Sequence, residues 1–231
     1  MTLQEKLFSL RDEKYAAFSA KLIPTVEPDR FIGVRSPQLR ALAKELTKGD
    51  SGSSLITQRS SFLKELPHRY HEENMLHAYL LCEEKKYENV VEETEIFLPY
   101  IDNWAVCDSL APRTFNRHKA ELLPHIEQWM SAEHEYTVRF GIGMLMRHFL
   151  DGDFCAKYHM KVASVSRGEY YIQMMQAWYF ATALAKQWDG TLPILDTLEG
   201  WVRGKSIQKA LESYRVPDAH KSILREMKNR R

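Results

Sequence analysis

The chain has 231 residues, 44% hydrophobic and 27% charged, a balance that suits a globular protein with a sizeable core and excludes a disordered chain. The formal net charge of +1 selects no partner by itself. Its distribution is more telling: acids dominate from Glu72 to Asp102, and bases dominate from Trp201 to Arg231, which points to either an anionic partner or a solvated basic face at the C-terminal end.

In chain order, the first segment, "MTLQEKLFSLRDEK", is charged throughout and lacks a secretory apolar core. "SPQLRALAKEL" predicts a helix with Ser36 as its N-cap and Pro37 at its first position. The glycine- and serine-rich stretch over 48–54 predicts a loop between helices. The histidines of "HRYHEENMLH" (His68, His71, His77) lack acids at ligand spacing and read as surface or capping groups, so no metal is expected. "DNWAVCDSLAPRTF", residues 102 to 115, predicts one helix, with Asp108 embedded in its apolar run. "VRFGIGMLMRHFL" and "MMQAWYFATALAKQW" carry apolar stripes at helical spacing.

No series of alternating strands competes with these helices, so an all-α fold is expected. Candidate helix pairs begin near His71, Asn103, Glu135, Tyr170 and Gly204, about 32 to 35 residues apart, the scale of a helical-pair repeat. Such pairs stack into a solenoid whose first helices line one concave wall. A compact, non-repeating bundle is the alternative. One domain over 1–231 is expected in either case. The three cysteines (Cys82, Cys107, Cys155) lie in apolar contexts, which predicts reduced, buried thiols, and no apolar run reaches the length of a membrane span. A cytoplasmic location follows as an expectation.

Trp104 and Asp108 are four residues apart and share a helix face. Arg139 and Trp178 interrupt the apolar runs of the next two units at equivalent places. If the units stack in order, a carboxylate, an arginine and two indoles surround one cleft. Indole faces and a carboxylate suit a cation, and the guanidinium fork suits a phosphate. Each has a plainer reading: Asp108 as a cap or a partner of Arg113, the tryptophans as core, Arg139 as a partner of Glu135.

Five segments in order, "FIGVRSPQLRALAKEL", "DNWAVCDSLAPRTF", "EYTVRFGIGMLMRHFL", "YYIQMMQAWYFATALAK" and "SIQKALESYRV", resemble the DNA alkylation repair family, the AlkD-like DNA glycosylases. The resemblance covers about residues 30 to 216. It implies HEAT-like repeats holding duplex DNA on a basic concave surface. It implies hydrolysis of the glycosidic bond of cationic N3- and N7-alkylated purines, with no metal or organic cofactor. The family's catalytic tryptophan and aspartate fall on Trp104 and Asp108, its arginine on Arg139 and its second tryptophan on Trp178. Asn103 and Ala105 depart from the tryptophan and the acid that flank the first site tryptophan in the family. Tyr15 and Phe18 are the candidates for the family's N-terminal cleft aromatic. Phosphate contacts are expected from Arg139, Lys205, Lys209 and Arg215, and the protein is expected to act as a monomer. Three readings stay open: a glycosylase, a DNA-binding paralogue without excision, and a protein-binding scaffold.

Overall fold

The computed structural model describes residues 2–48 and 54–229, apart from the side chains at 54–56 and 229. The expected loop over 48–54 lies mostly outside the described residues. Among those described, the chain is all-helical, with no strand. It divides into two compact units, Met1–His118 and Lys119–Arg231.

The first unit holds α1 (Leu3–Ser9), α2 (Glu13–Leu22), α3 (Ser36–Thr47), α4 (Ser54–Lys64), α5 (His71–Glu83), α6 (Tyr87–Phe97) and α7 (Trp104–Ser109). Helix α5 is its centre. It packs against α3 on one side and α7 on the other, and residues 71–81 are buried all round. That includes its polar residues, each of which therefore needs a partner. Glu72, 1% exposed, accepts from the backbone N–H groups of Ile32 (2.9 Å) and Gly33 (2.7 Å). Burial raises its pKa, and these bonds oppose that rise. The residue at 33 must be glycine here: φ is +93°, and a Cβ would stand 2.0 Å from the Asp12 carbonyl oxygen. The turn so fixed delivers Phe31 to a cluster with Ile23 and Val26.

His68, His71 and His77 are not surface groups. All three are buried, and the His68 Nε2 and His77 Nδ1 atoms are 2.9 Å apart. His77 also stacks on Phe97 with ring centres 3.9 Å apart. Helix α3 starts one residue earlier than expected: Arg35 is its N-cap, and its N–H donates to the Gln38 side chain at 3.2 Å. Ser36 is thus the first helical residue and Pro37 the second, where a missing N–H still costs nothing.

The second unit holds α8 (Lys119–Met130), α9 (Glu135–His148), α10 (Ala156–Ala163), α11 (Tyr170–Lys186), α12 (Trp188–Thr191), α13 (Gly200–Glu212) and α14 (Asp218–Asn229). Helix α11 is its centre, packed on α9 and on α13. Tyr179 and Phe180 are fully buried there; each large aromatic so buried stabilises the unit by about 1.5–3 kcal/mol. The repeating helix starts expected at His71, Glu135 and Tyr170 are borne out, and that expected at Asn103 falls one residue later, at Trp104. The last start expected lies at Gly200, four residues before Gly204. Among the described residues no helix is long and apolar enough to cross a membrane. No group of three or more His, Cys, Asp or Glu there could hold a metal ion. The cysteines differ from expectation: Cys107 is buried, Cys82 half-buried and Cys155 exposed.

Candidate active site and nucleic-acid interface

In the first unit the candidate residues sit on α7, which is far shorter than the expected helix over 102–115. It ends at Ser109 because Leu110 and Ala111 lead into Pro112, and a residue before proline is driven to extended backbone. A 3-10 segment, Arg113–Arg117, follows. The exit is pinned to the end of α5. The Cys82 sulfur accepts from the Ala111 N–H at 3.2 Å, and the Thr114 hydroxyl donates to the Glu84 carbonyl at 2.8 Å.

The entry is pinned by Asn103. Its extended backbone (φ −156°, ψ 158°) and side-chain oxygen cap the helix, accepting from Ala105 N–H (3.0 Å) and Val106 N–H (3.1 Å). Val106 and Cys107 bury one face of α7. Trp104 packs on Ile23, Val26 and Phe31, and its indole N–H donates to the Leu22 carbonyl at 3.3 Å. That carbonyl belongs to the last turn of α2, where helices leave acceptors without an intrahelical donor. Asp108 lies one turn on and is half-buried, not deeply buried as its apolar sequence context suggests. On α2, the Tyr15 and Phe18 rings are stacked 6.2 Å apart, Phe18 is exposed, and the Arg35 guanidinium lies 4.5 Å from the Tyr15 centroid.

In the second unit, Trp178 is half-buried on α11. Two cations approach its ring: the Lys209 ammonium at 4.9 Å and the Arg139 guanidinium at 5.4 Å from the centroid. An open pocket of about 370 Å³ adjoins it, lined in part by Trp178, Lys209, Glu212 and Arg215. Lys209 has its pKa lowered by burial first and then by the neighbouring Lys205 and Arg139, against the opposing pull of Glu212. Clustered cations of this kind raise the local potential and suit an anionic ligand. Lys205 lies one turn before Lys209 on α13, donates to the Gln208 side chain at 3.1 Å and stands 5.9 Å from the Trp201 centroid.

Arg139 departs from the expected phosphate clamp. It is 2% exposed, and its Nη1 donates to the Tyr171 carbonyl at 2.8 Å. It is a buried charge behind Trp178 rather than an outward-facing fork. Sequence reading also passed over Trp201 and Tyr170, whose rings meet edge-to-face at 5.9 Å, with Tyr170 exposed. The signal was present: Trp201, Lys205 and Lys209 are spaced four apart, one face of a helix.

A family model described as DNA alkylation repair enzyme matches residues 3–183. The chain belongs to that family. Membership gives this DNA alkylation repair protein a role in DNA repair. The matched span carries Trp104, Asp108, Arg139 and Trp178, whereas Lys205, Lys209 and Arg215 lie beyond its end. No curated protein matches this family member in sequence.

Proposed function

We propose that the protein is a DNA glycosylase that hydrolyses the N-glycosidic bond of cationic N3- and N7-alkylated purines in duplex DNA. One observation carries the reading: within a chain of the DNA alkylation repair family, Asp108 stands one turn after an anchored Trp104 on α7.

An alkylated purine already bears a positive charge and leaves without protonation. As the C–N bond breaks, its electron pair neutralises the purine, and positive charge moves to the deoxyribose. The Asp108 carboxylate stabilises that oxocarbenium ion, as a fixed charge aimed at developing opposite charge does. It also orients the water that adds to the sugar carbon; as the C–O bond forms, that water gives up one proton to solvent and leaves a neutral hydroxyl on the sugar. An indole face favours such a cation, the role proposed for Trp104 beside Asp108 and, by the family resemblance, for Trp178 in the second unit. Direct phosphate contacts fall to Lys205, Lys209 and Arg215. Arg139 adds positive potential from beneath Trp178. No step calls on a metal or an organic cofactor. The reading treats residues 1–231 as one repeat domain acting as a monomer.

The test is incubation of the purified protein with duplex DNA containing 7-methylguanine, followed by detection of free base. Release supports the reading. Tight, salt-sensitive DNA binding without release would sink the glycosylase and leave a DNA-binding repair protein in its place.

A further inference from the structure

We propose that Asn103 is a positioning residue for Trp104 and Asp108, held in its own place by Asp102 and Arg30; this rests on the glycosylase reading given above. Helix α7 has six residues, fewer than a helix needs to hold itself together, so its direction is set from outside. Asn103 is 0% exposed and uses both ends of its amide. The oxygen accepts from the first free N–H groups of α7. The nitrogen donates to Asp102 Oδ1 at 2.8 Å and lies 3.4 Å from His71 Nδ1.

Asp102 is in turn fixed. Its Oδ2 pairs with Arg30 Nη1 at 2.8 Å, and Arg30 Nε donates to the Arg69 carbonyl at 2.8 Å, just before α5. A single line of bonds therefore runs from the start of α5, through Arg30, Asp102 and Asn103, to the start of α7. The amide of Asn103 has a fixed orientation because only one assignment lets it accept from two N–H groups and donate to a carboxylate. With the N-cap set, the Trp104 indole meets the Leu22 carbonyl and Asp108 follows one turn later.

Asn103→Ala and Asn103→Ser separate this role from a general loss of fold, because serine caps a helix and alanine does not. Three quantities are read in each variant. They are single-turnover release of 7-methylguanine at saturating protein, the Kd for the same duplex, and the Trp104 indole N–H resonance, assigned with Trp104→Phe. In Asn103→Ala, release should slow by on the order of tenfold to a hundredfold, as misplacement of a reacting group does, with Kd within about twofold and the Trp104 resonance displaced. Asn103→Ser should return both the resonance and most of the rate. A folded Asn103→Ala protein with wild-type rate and resonance overturns the proposal. So does an Asn103→Ser protein as slow as Asn103→Ala. Should Asn103→Ala fail to fold, Asp102→Ala gives the same reading: displacement of the Trp104 resonance supports the line of bonds, and an unmoved resonance overturns it. If the wild-type protein releases no base, the glycosylase reading fails, and the Trp104 resonance still decides whether Asn103 positions α7.

Discussion

The Lys209 ammonium stands 4.9 Å from the centre of the Trp178 ring, beside an open pocket that both residues line. The pair offers charge for a phosphate and an apolar face for a sugar or base. Lys209→Ala should weaken duplex binding about equally across sequences and reduce the salt slope of log K by about 1. Trp178→Ala should instead cut base release by about tenfold or more while keeping a cooperative melt. Because Trp178 is only half-buried, its loss should cost less than the roughly 3–5 kcal/mol of a fully buried aromatic. Unfolding of that variant would return Trp178 to the role of core filler.

Asp108→Asn keeps the shape of the side chain and removes its charge. If the carboxylate stabilises a sugar cation, single-turnover release should fall by about a hundredfold or more. DNA affinity should hold or rise slightly, since one negative charge has gone. The melting temperature should move little, because Asp108 is half-buried and not a deeply desolvated ion. A well-folded Asp108→Asn protein with wild-type release would end the catalytic role proposed for this residue.

Acid should unfold the protein in a window set by its buried histidines. Burial lowers the pKa of His68 from 6.5 to about 4, and that of His77 moves in the same direction, through burial and then through its neighbour His68. Above the unfolded value both states are neutral and nothing is lost. As pH falls from 6.5 towards about 4, the unfolded chain takes up protons that the folded chain refuses, so stability declines across that interval. His71, His148 and His159, each lowered to about 4 mainly by burial, act in the same sense. Urea titrations at pH of about 7 and about 4.5 should differ by several kcal/mol, and His77→Phe should shrink that difference by about 1 kcal/mol or more. Equal stability at the two pH values would contradict the burial of these groups.

Two glycines on one turn of α9 should respond in opposite ways to alanine. A Cβ on Gly141 would lie 2.9 Å from the Met130 backbone nitrogen and 3.2 Å from the Ile126 carbonyl oxygen, so α8 would have to move away. Gly141→Ala should cost about 1–3 kcal/mol. At Gly143 the nearest atom is the Met175 methyl at 3.6 Å, an ordinary contact. Gly143→Ala should therefore be neutral or stabilise by up to about 1 kcal/mol through helix propensity. Thermal melts of the two single variants decide it.

The long helices α9 and α11 were legible because their apolar stripes repeat at helical spacing over many residues. The entry to α13 was not, since two glycines flank its first turn and leave little pattern to follow. Helix α7 was overestimated: apolar content ran on to Phe115, but Pro112 dictates the backbone before it. The polar stretch around His71 looked like surface because composition alone does not reveal that α5 has neighbours on both sides. Glu72 is satisfied by Ile32 and Gly33, distant in sequence, and no local pattern encodes such a pairing. Trp104 and Asp108 stand out through resemblance and spacing. The anchoring of Trp104 by Leu22, and the burial of Arg139, depend on tertiary packing that spacing cannot supply.

The unequal accessibility of the three thiols makes the wild-type chain ready for site-selective labelling. Cys107 is sealed in the core, and Cys82 is half-buried with its sulfur engaged against the exit of α7. Cys155, exposed at the N-cap of α10, is left as the thiol that a maleimide dye would meet first. A fluorophore there would report on the second unit without altering any residue assigned a part in DNA contact or chemistry.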